Sequence, residues 1–169
     1  MGEINFRELQ EKDVAEIYNV AKESWKFTYE LVFKEEFINF YLNKYYSKEA
    51  LLFCIQKVKL QEQFFYIAED DLKIVGYCNV IFNGNEMELA RMYLLPDYIG
   101  REIGKKLLEL SERYIKLKGF KKYICYVNKF NKIGQKFYTK YGFKRLPVKD
   151  KTDIENNDYQ WCMEKIIES

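Results

Sequence analysis

The 169-residue chain predicts a mixed α/β domain. Three observations carry that prediction. Five stretches repeat apolar residues at helical spacing, and seven short stretches alternate or run apolar at strand length. Their order is a strand, helices, three strands, and then alternating strand and helix. The length suits one domain over residues 1–169, with no linker and no internal repeat.

Ile4–Leu9 alternates and reads as the first strand. Asp13 stands at an N-cap position, ahead of Val14, Ile17, Tyr18, Ala21 and Trp25 on one helical face. Lys34–Tyr46 repeats the pattern with Phe37, Ile38, Tyr41 and Leu42, and Ser47 caps a third helix that runs to about Val58. Phe64–Glu69 and Ile74–Phe82 read as strands joined at Asp70-Asp71. Asn83-Gly84 is a hairpin turn, which makes Glu86–Leu95 the partner strand, stopped by Pro96. After a loop at Gly100–Gly104 comes a helix with Ile103, Leu107, Leu110, Tyr114 and Leu117 on its apolar face, ended by Gly119. Lys122–Val127 is a strand and Asn131–Tyr141 a helix stopped by Gly142. Phe143–Leu146 and Asp158–Lys165 close the chain as strands, with Lys149–Asn157 expected as a polar loop.

Composition excludes several chemistries. There is no histidine, so imidazole triads, a histidine base and His-ligated zinc are ruled out. Cys54, Cys78, Cys125 and Cys162 are far apart, show no metal spacing and sit in apolar stretches, as buried thiols in a reducing cytosol do. No apolar run approaches the ~20 residues that span a bilayer. The start Met1-Gly2-Glu3 lacks a basic leader, and Phe6 stands where myristoylation wants Ser or Thr. The expectation is a cytoplasmic protein with no metal.

Charge is uneven. Residues 1–85 carry 10 basic and 14 acidic side chains, net −4, whereas 86–169 carry 18 and 12, net +6. Between Ile99 and Lys149 there are 15 basic and 3 acidic residues. Such a stretch favours a phosphate-bearing ligand or nucleic acid, or is a solvated lysine face.

Two patterns look like a site. In Glu86–Lys106 a strand, Pro96 and a two-glycine loop lead into a helix, whose N-terminal amides suit a phosphate. A plain turn reads the same way. In the later helix Asn131, Gly134 and Tyr138 share a face: an amide, a gap and a phenol, fit for an elongated ligand or for ordinary packing.

These residues resemble the GNAT superfamily of acetyl-CoA-dependent N-acetyltransferases. The resemblance runs through Met87–Tyr93, Leu94-Leu95-Pro96-Asp97-Tyr98, Ile99-Gly100-Arg101-Glu102-Ile103-Gly104-Lys105-Lys106-Leu107-Leu108, and Asn131 with Tyr138 and Gly142-Phe143. It implies a twisted, mostly antiparallel sheet of about seven strands flanked by four or five helices. The family loop reads Q/R-x-x-G-x-G/A; here Ile99 and Glu102 depart from it. The resemblance further implies acetyl-CoA as co-substrate. Met92, Tyr93 and Leu94 would lend backbone groups to the pantetheine and thioester. Gly100, Arg101, Glu102, Ile103, Gly104 and Lys105 would hold the pyrophosphate, and Asn131 would touch the pantetheine arm. Tyr138 would be the acid for the departing thiolate. A homodimer is left open.

The chemistry asks for a neutral amine, and freeing an alkylamine of pKa ~10.4 at pH 7 costs roughly 4–5 kcal/mol. Glu88, expected on one strand face with Ala90, Met92 and Leu94, is the candidate base; a plain strand-end charge is the alternative. Ser24–Glu30, followed by Glu35-Glu36-Phe37, resembles the PaiA-type polyamine acetyltransferases. That likeness makes Trp25, Tyr29 and Glu30 candidate acceptor contacts, with spermidine or spermine as the amine. Peptide N-acetylation and a non-catalytic CoA sensor stay as alternatives. Nucleic acid is disfavoured because no reading motif accompanies the basic residues.

Overall fold

The structure is a computed structural model and describes residues 2–167. Met1, which enters the leader reading above, lies outside the described residues. Eight strands form one sheet: β1 (Asn5–Glu8), β2 (Gln63–Asp70), β3 (Lys73–Phe82), β4 (Met87–Leu94), β5 (Lys122–Asn128), β6 (Lys144–Arg145), β7 (Lys151–Asp153) and β8 (Asp158–Ile166). Five helices cover it: α1 (Val14–Tyr29), α2 (Glu35–Tyr46), α3 (Lys48–Lys59), α4 (Ile103–Leu117) and α5 (Lys132–Lys140). The sheet order is β1-β2-β3-β4-β5-β8-β6, with β7 beside β8. Every pairing is antiparallel except β4 with β5.

Neighbouring residues of β3 show how the layers divide. Tyr77 reaches one face, where its hydroxyl meets Tyr46 of α2 at 3.0 Å. Cys78 points to the other, where its thiol meets the Leu107 carbonyl of α4. The core on the first face is largely aromatic: Trp25, Tyr29, Tyr46, Phe65 and Tyr77 are all buried.

Several elements follow their local signals. Ser47 accepts the Ala50 amide at 3.2 Å as the N-cap of α3. Gly119, just past α4, has φ +83°, a left-handed turn that ends a helix without a Cβ clash. Other expectations need correction. Asp13 does not cap α1 with its side chain; it is buried and clamped by Arg7. The α4 stripe is rotated, since Leu117 is exposed while Leu108, Ser111 and Ile115 are buried with Leu107. Ser111 fits because its hydroxyl donates to the Leu107 carbonyl at 2.9 Å. Of the expected 143–146 strand, Lys144–Arg145 form the ladder to β8, and the Leu146 amide adds one bond to the Cys162 carbonyl at 2.8 Å. The supposed loop 149–157 contains β7, whose ladder to β8 is helped by Lys151 lying 3.7 Å over the Tyr126 ring.

An ion cluster ties β1 to β2 and to the chain entering α1. Arg7 bonds Asp13 at 2.7 and 2.8 Å, and its Nε donates to Glu69 at 2.9 Å. Burial pushes the Asp13 carboxyl up, but the hydrogen bonds it accepts from Arg7 and the Gln10 amide, with the charges of Arg7 and Lys12, together outweigh it, so Asp13 lies below its ordinary value. The Arg7 hydrogen bond likewise holds Glu69 low. Both folded-state values sit under the unfolded ones. The stabilisation is therefore full above the ordinary carboxylate range and is lost as pH falls through the folded values. We expect Arg7→Met to lower unfolding free energy by about 2 kcal/mol at pH 7, a figure discounted for partial exposure. Urea melts at pH 7 and pH 3 check it: the gap between wild type and variant should narrow at pH 3, and a constant gap would count against the ion cluster.

Candidate active site

Strands β4 and β5 stay in register for two pairs only, Glu88 with Ile124 and Leu89 with Cys125. Beyond them the strands diverge. The main-chain edge of β4 after Leu89 has no strand partner on that side among the described residues. Between the strands lies a cavity of ≈ 210 Å³, walled by Leu89–Leu94 on one side and by Tyr126, Val127 and α5 on the other. Unpaired strand amides facing a cavity invite a ligand that carries amides of its own.

A bulge fixes which side chains face where. Val80 of β3 pairs with Leu89, but Asn79 pairs with Arg91, so Ala90 is an extra residue. Cross-strand partners share a face. Met92 and Leu94, opposite Cys78 and Gly76, therefore lie on the α4 face together with Leu89. Arg91 and Tyr93 lie on the α2 face together with Glu88. The expected grouping of Glu88 with Ala90, Met92 and Leu94 is thus overturned by one inserted residue. Glu88 accepts from the Asn83 side chain at 3.1 Å and is not part of the cavity lining.

The loop before α4 forms one end of the cavity. Gly100 has φ +84° and Glu102 φ +63°. No side chain caps α4 and its first turn holds no acid, so its leading amides retain their donor capacity and their share of the helix dipole. Gly100, Glu102, Gly104 and Lys105 line the cavity, whereas Arg101 and Ile103 do not. Arg101 stacks over Tyr98, and Ile103 is core. Lys105 pairs with Glu102 at 3.3 Å, both well exposed. A Cβ on Gly104 would come within 3.1 Å of the Phe137 ring, so this position lets α4 and α5 pack closely.

At the start of α5, Asn131 is the N-cap. Its Oδ1 accepts the Gly134 amide at 2.9 Å, and its Nδ2 approaches the Tyr29 hydroxyl at 3.5 Å. This joins α5 to α1 across the cavity. Tyr138 is buried, with edge-on ring contacts to Phe137 and Phe143, and it lines the cavity. Its hydroxyl has no hydrogen-bond partner among the described residues. Burial pushes its pKa well above the phenol range, so it is protonated at any physiological pH.

The acceptor candidates separate. Tyr29 lines the cavity, and burial pushes its phenol up to about 12. Trp25 is core: it stacks on Tyr41 at 3.9 Å and does not reach the cavity. Glu30 is exposed, just beyond Thr28 and Tyr29 of the wall. Glu35 and Glu36 are exposed in the first turn of α2. Sequence reasoning missed Arg91, an arginine flanked by apolar residues in a strand, which belongs to the lining. That placement in a strand was the available signal.

Glycine tolerates a left-handed backbone better than glutamate by about 1–2 kcal/mol, offset by about 0.5–1 kcal/mol of extra chain entropy. The exposed pair with Lys105 adds little. We expect Glu102→Gly to raise the melting temperature by roughly 1–3 °C; calorimetric scanning checks it, and a lower value would contradict strain at this residue.

Comparisons with known proteins bear on this geometry. The family description "Acetyltransferase (GNAT) domain" matches residues 61–145. A spermidine N(1)-acetyltransferase from Thermoplasma acidophilum is 35% identical over 167 residues, 98% of this chain and 99% of that protein. The crystal structure of PaiA N-acetyltransferase from Thermoplasma acidophilum in complex with coenzyme A superposes with a TM-score of 0.86 at 36% identity, covering 97% of this chain and 99% of that one. A GCN5-related N-acetyltransferase structure from Rhodopseudomonas palustris shares the fold, with a TM-score of 0.76 at 19% identity over 99% and 98% of the two chains.

Proposed function

The chain belongs to the GNAT family of acetyltransferases, and from that premise we propose that it moves acetyl from acetyl-CoA to a primary amine of a polyamine such as spermidine. The observation that carries the reading is the splayed β4–β5 edge with the unpartnered Tyr138 hydroxyl in the same cavity. The residues present fit acetyl-CoA. Its pantetheine arm carries two amides, and the open edge of β4 at Met92, Tyr93 and Leu94 offers backbone partners for them. Its pyrophosphate suits the uncapped start of α4 at Gly100–Lys105, where Lys105 adds positive charge. Asn131 keeps α5 aligned along the arm.

In this reading the β4 amides near Met92 receive the thioester oxygen as it gains negative charge. The amine lone pair bonds to the carbonyl carbon, the carbon–sulfur bond breaks, and Tyr138 donates its proton to the departing thiolate. Support for Tyr138 comes from its raised pKa, which keeps the proton on, and from its hydroxyl having no competing acceptor. Glu88 receives the amine proton through solvent, from the α2 face of β4 just before the strands part. The polyamine reading rests on the Thermoplasma relative and on Glu30, Glu35 and Glu36, exposed and without ion pairs among the described residues. They attract a polycation toward the wall formed by Thr28 and Tyr29.

Thiol release from acetyl-CoA with spermidine, spermine, simple diamines and short peptides tests the reading. We expect turnover with polyamines, and a fall in kcat of about 100-fold or more in Tyr138→Phe at unchanged acetyl-CoA affinity. Activity on peptides alone would overturn the acceptor assignment. An unimpaired Tyr138→Phe would remove the acid role.

A further inference from the structure

An arginine without a counter-ion sits on the acceptor face of the site. Arg91 is half-buried, yet no carboxylate pairs with it among the described residues. Among the described residues its side chain makes one hydrogen bond, to the Cys54 sulfur at 3.5 Å. Its guanidinium lies over the rings of Tyr46 at 5.0 Å and Phe65 at 5.8 Å. The residue lines the same cavity as Met92 and Tyr138, from the β4 wall.

Its surroundings hold no compensating charge. The titratable groups that act on it are Tyr41 and Tyr46 from α2, Cys54 from α3 and Tyr77 from β3, with Asn79 opposite in register. On β4 itself Tyr93 and Glu88 share its face, and Glu88 is turned to Asn83. Burial pushes the four tyrosines upward, so all are neutral at pH 7. Cys54 sits among them as a buried thiol. The charges elsewhere in the lining, Glu102, Lys105 and Lys140, lie at the loop and on α5. Guanidinium does not deprotonate in proteins, so the acceptor side carries a fixed positive charge.

We propose that Arg91 selects the neutral form of the acceptor: its uncompensated guanidinium disfavours a bound ammonium and holds the reacting nitrogen unprotonated at physiological pH. The proposal rests on the amine-acceptor reading above. It also assigns the two charged regions different tasks. The acidic group at Glu30, Glu35 and Glu36 draws in the polycation, and Arg91 makes its leading nitrogen shed the proton. A half-buried charge without a counter-ion weakens folding, as residues kept for function do.

The test is kcat at saturating amine from pH 6 to 10 for wild type, Arg91→Met and Arg91→Lys, with two acceptors. One is spermidine. The other is 2,2,2-trifluoroethylamine, a primary amine that is neutral through nearly all of this range. In Arg91→Met the acidic limb with spermidine should move up by about one pH unit, so that kcat at pH 7 falls about tenfold and recovers toward pH 10. With trifluoroethylamine kcat should change less than about twofold, and Arg91→Lys should keep the wild-type limb. Arg91→Met should melt at or above wild type, and Arg91→Gln repeats the test if the methionine does not pack. Equal, pH-independent losses with both amines, or an unmoved limb, overturn the proposal and leave the polyamine reading standing. If wild type turns over another alkylamine but not spermidine, the polyamine reading falls and the same comparison on that amine decides on Arg91. No turnover with any alkylamine overturns both.

Discussion

The one parallel seam in the sheet governs the architecture around it. β4 and β5 are held together by two register pairs and then part. Parallel pairing requires a crossover, which α4 supplies, and the crossover starts at the loop beside the opening. The bulge at Ala90 turns the side chains of β4 over just where the strands separate. Main-chain groups, helix start and phenol therefore converge on one gap, because a single sheet defect places them there.

The acceptor face answers the absence of histidine with tyrosine and arginine. Tyr29, Tyr46, Tyr77 and Tyr93 form a layer whose hydroxyls meet one another or Asn131. Burial keeps them neutral. Such a layer is apolar enough to pack and polar enough to border a site, and it leaves formal charge to a few positions. The Arg7 cluster shows the opposite solution at the sheet edge, where each charge is paired.

Local chemistry was legible in the sequence where one residue decides the outcome. Ser47, the Asn83-Gly84 turn and Gly119 mark real ends. The loop before α4 and the position of Tyr138 followed from spacing and resemblance. What escaped was settled at a distance. Asp13 is claimed by Arg7, Trp25 by Tyr41, and β7 by its ladder to β8. The bulge escaped because alternation counts residues on one strand, whereas a bulge is defined by the strand opposite. Arg91 escaped because a charge inside a strand has no periodic signature.

One wall of the gap between β4 and β5, the open edge of β4 beyond Leu89, presents peptide groups rather than the side chains attached to them. Descent with divergence then acts on a surface to which residue identity is nearly irrelevant. Two relatives can replace almost every letter along β4 and the following loop, as Ile99 and Glu102 do against the family pattern, while keeping the same contour of amides and carbonyls. For a wall of this kind, backbone geometry is the inherited character, and letter-by-letter similarity understates how much has been retained.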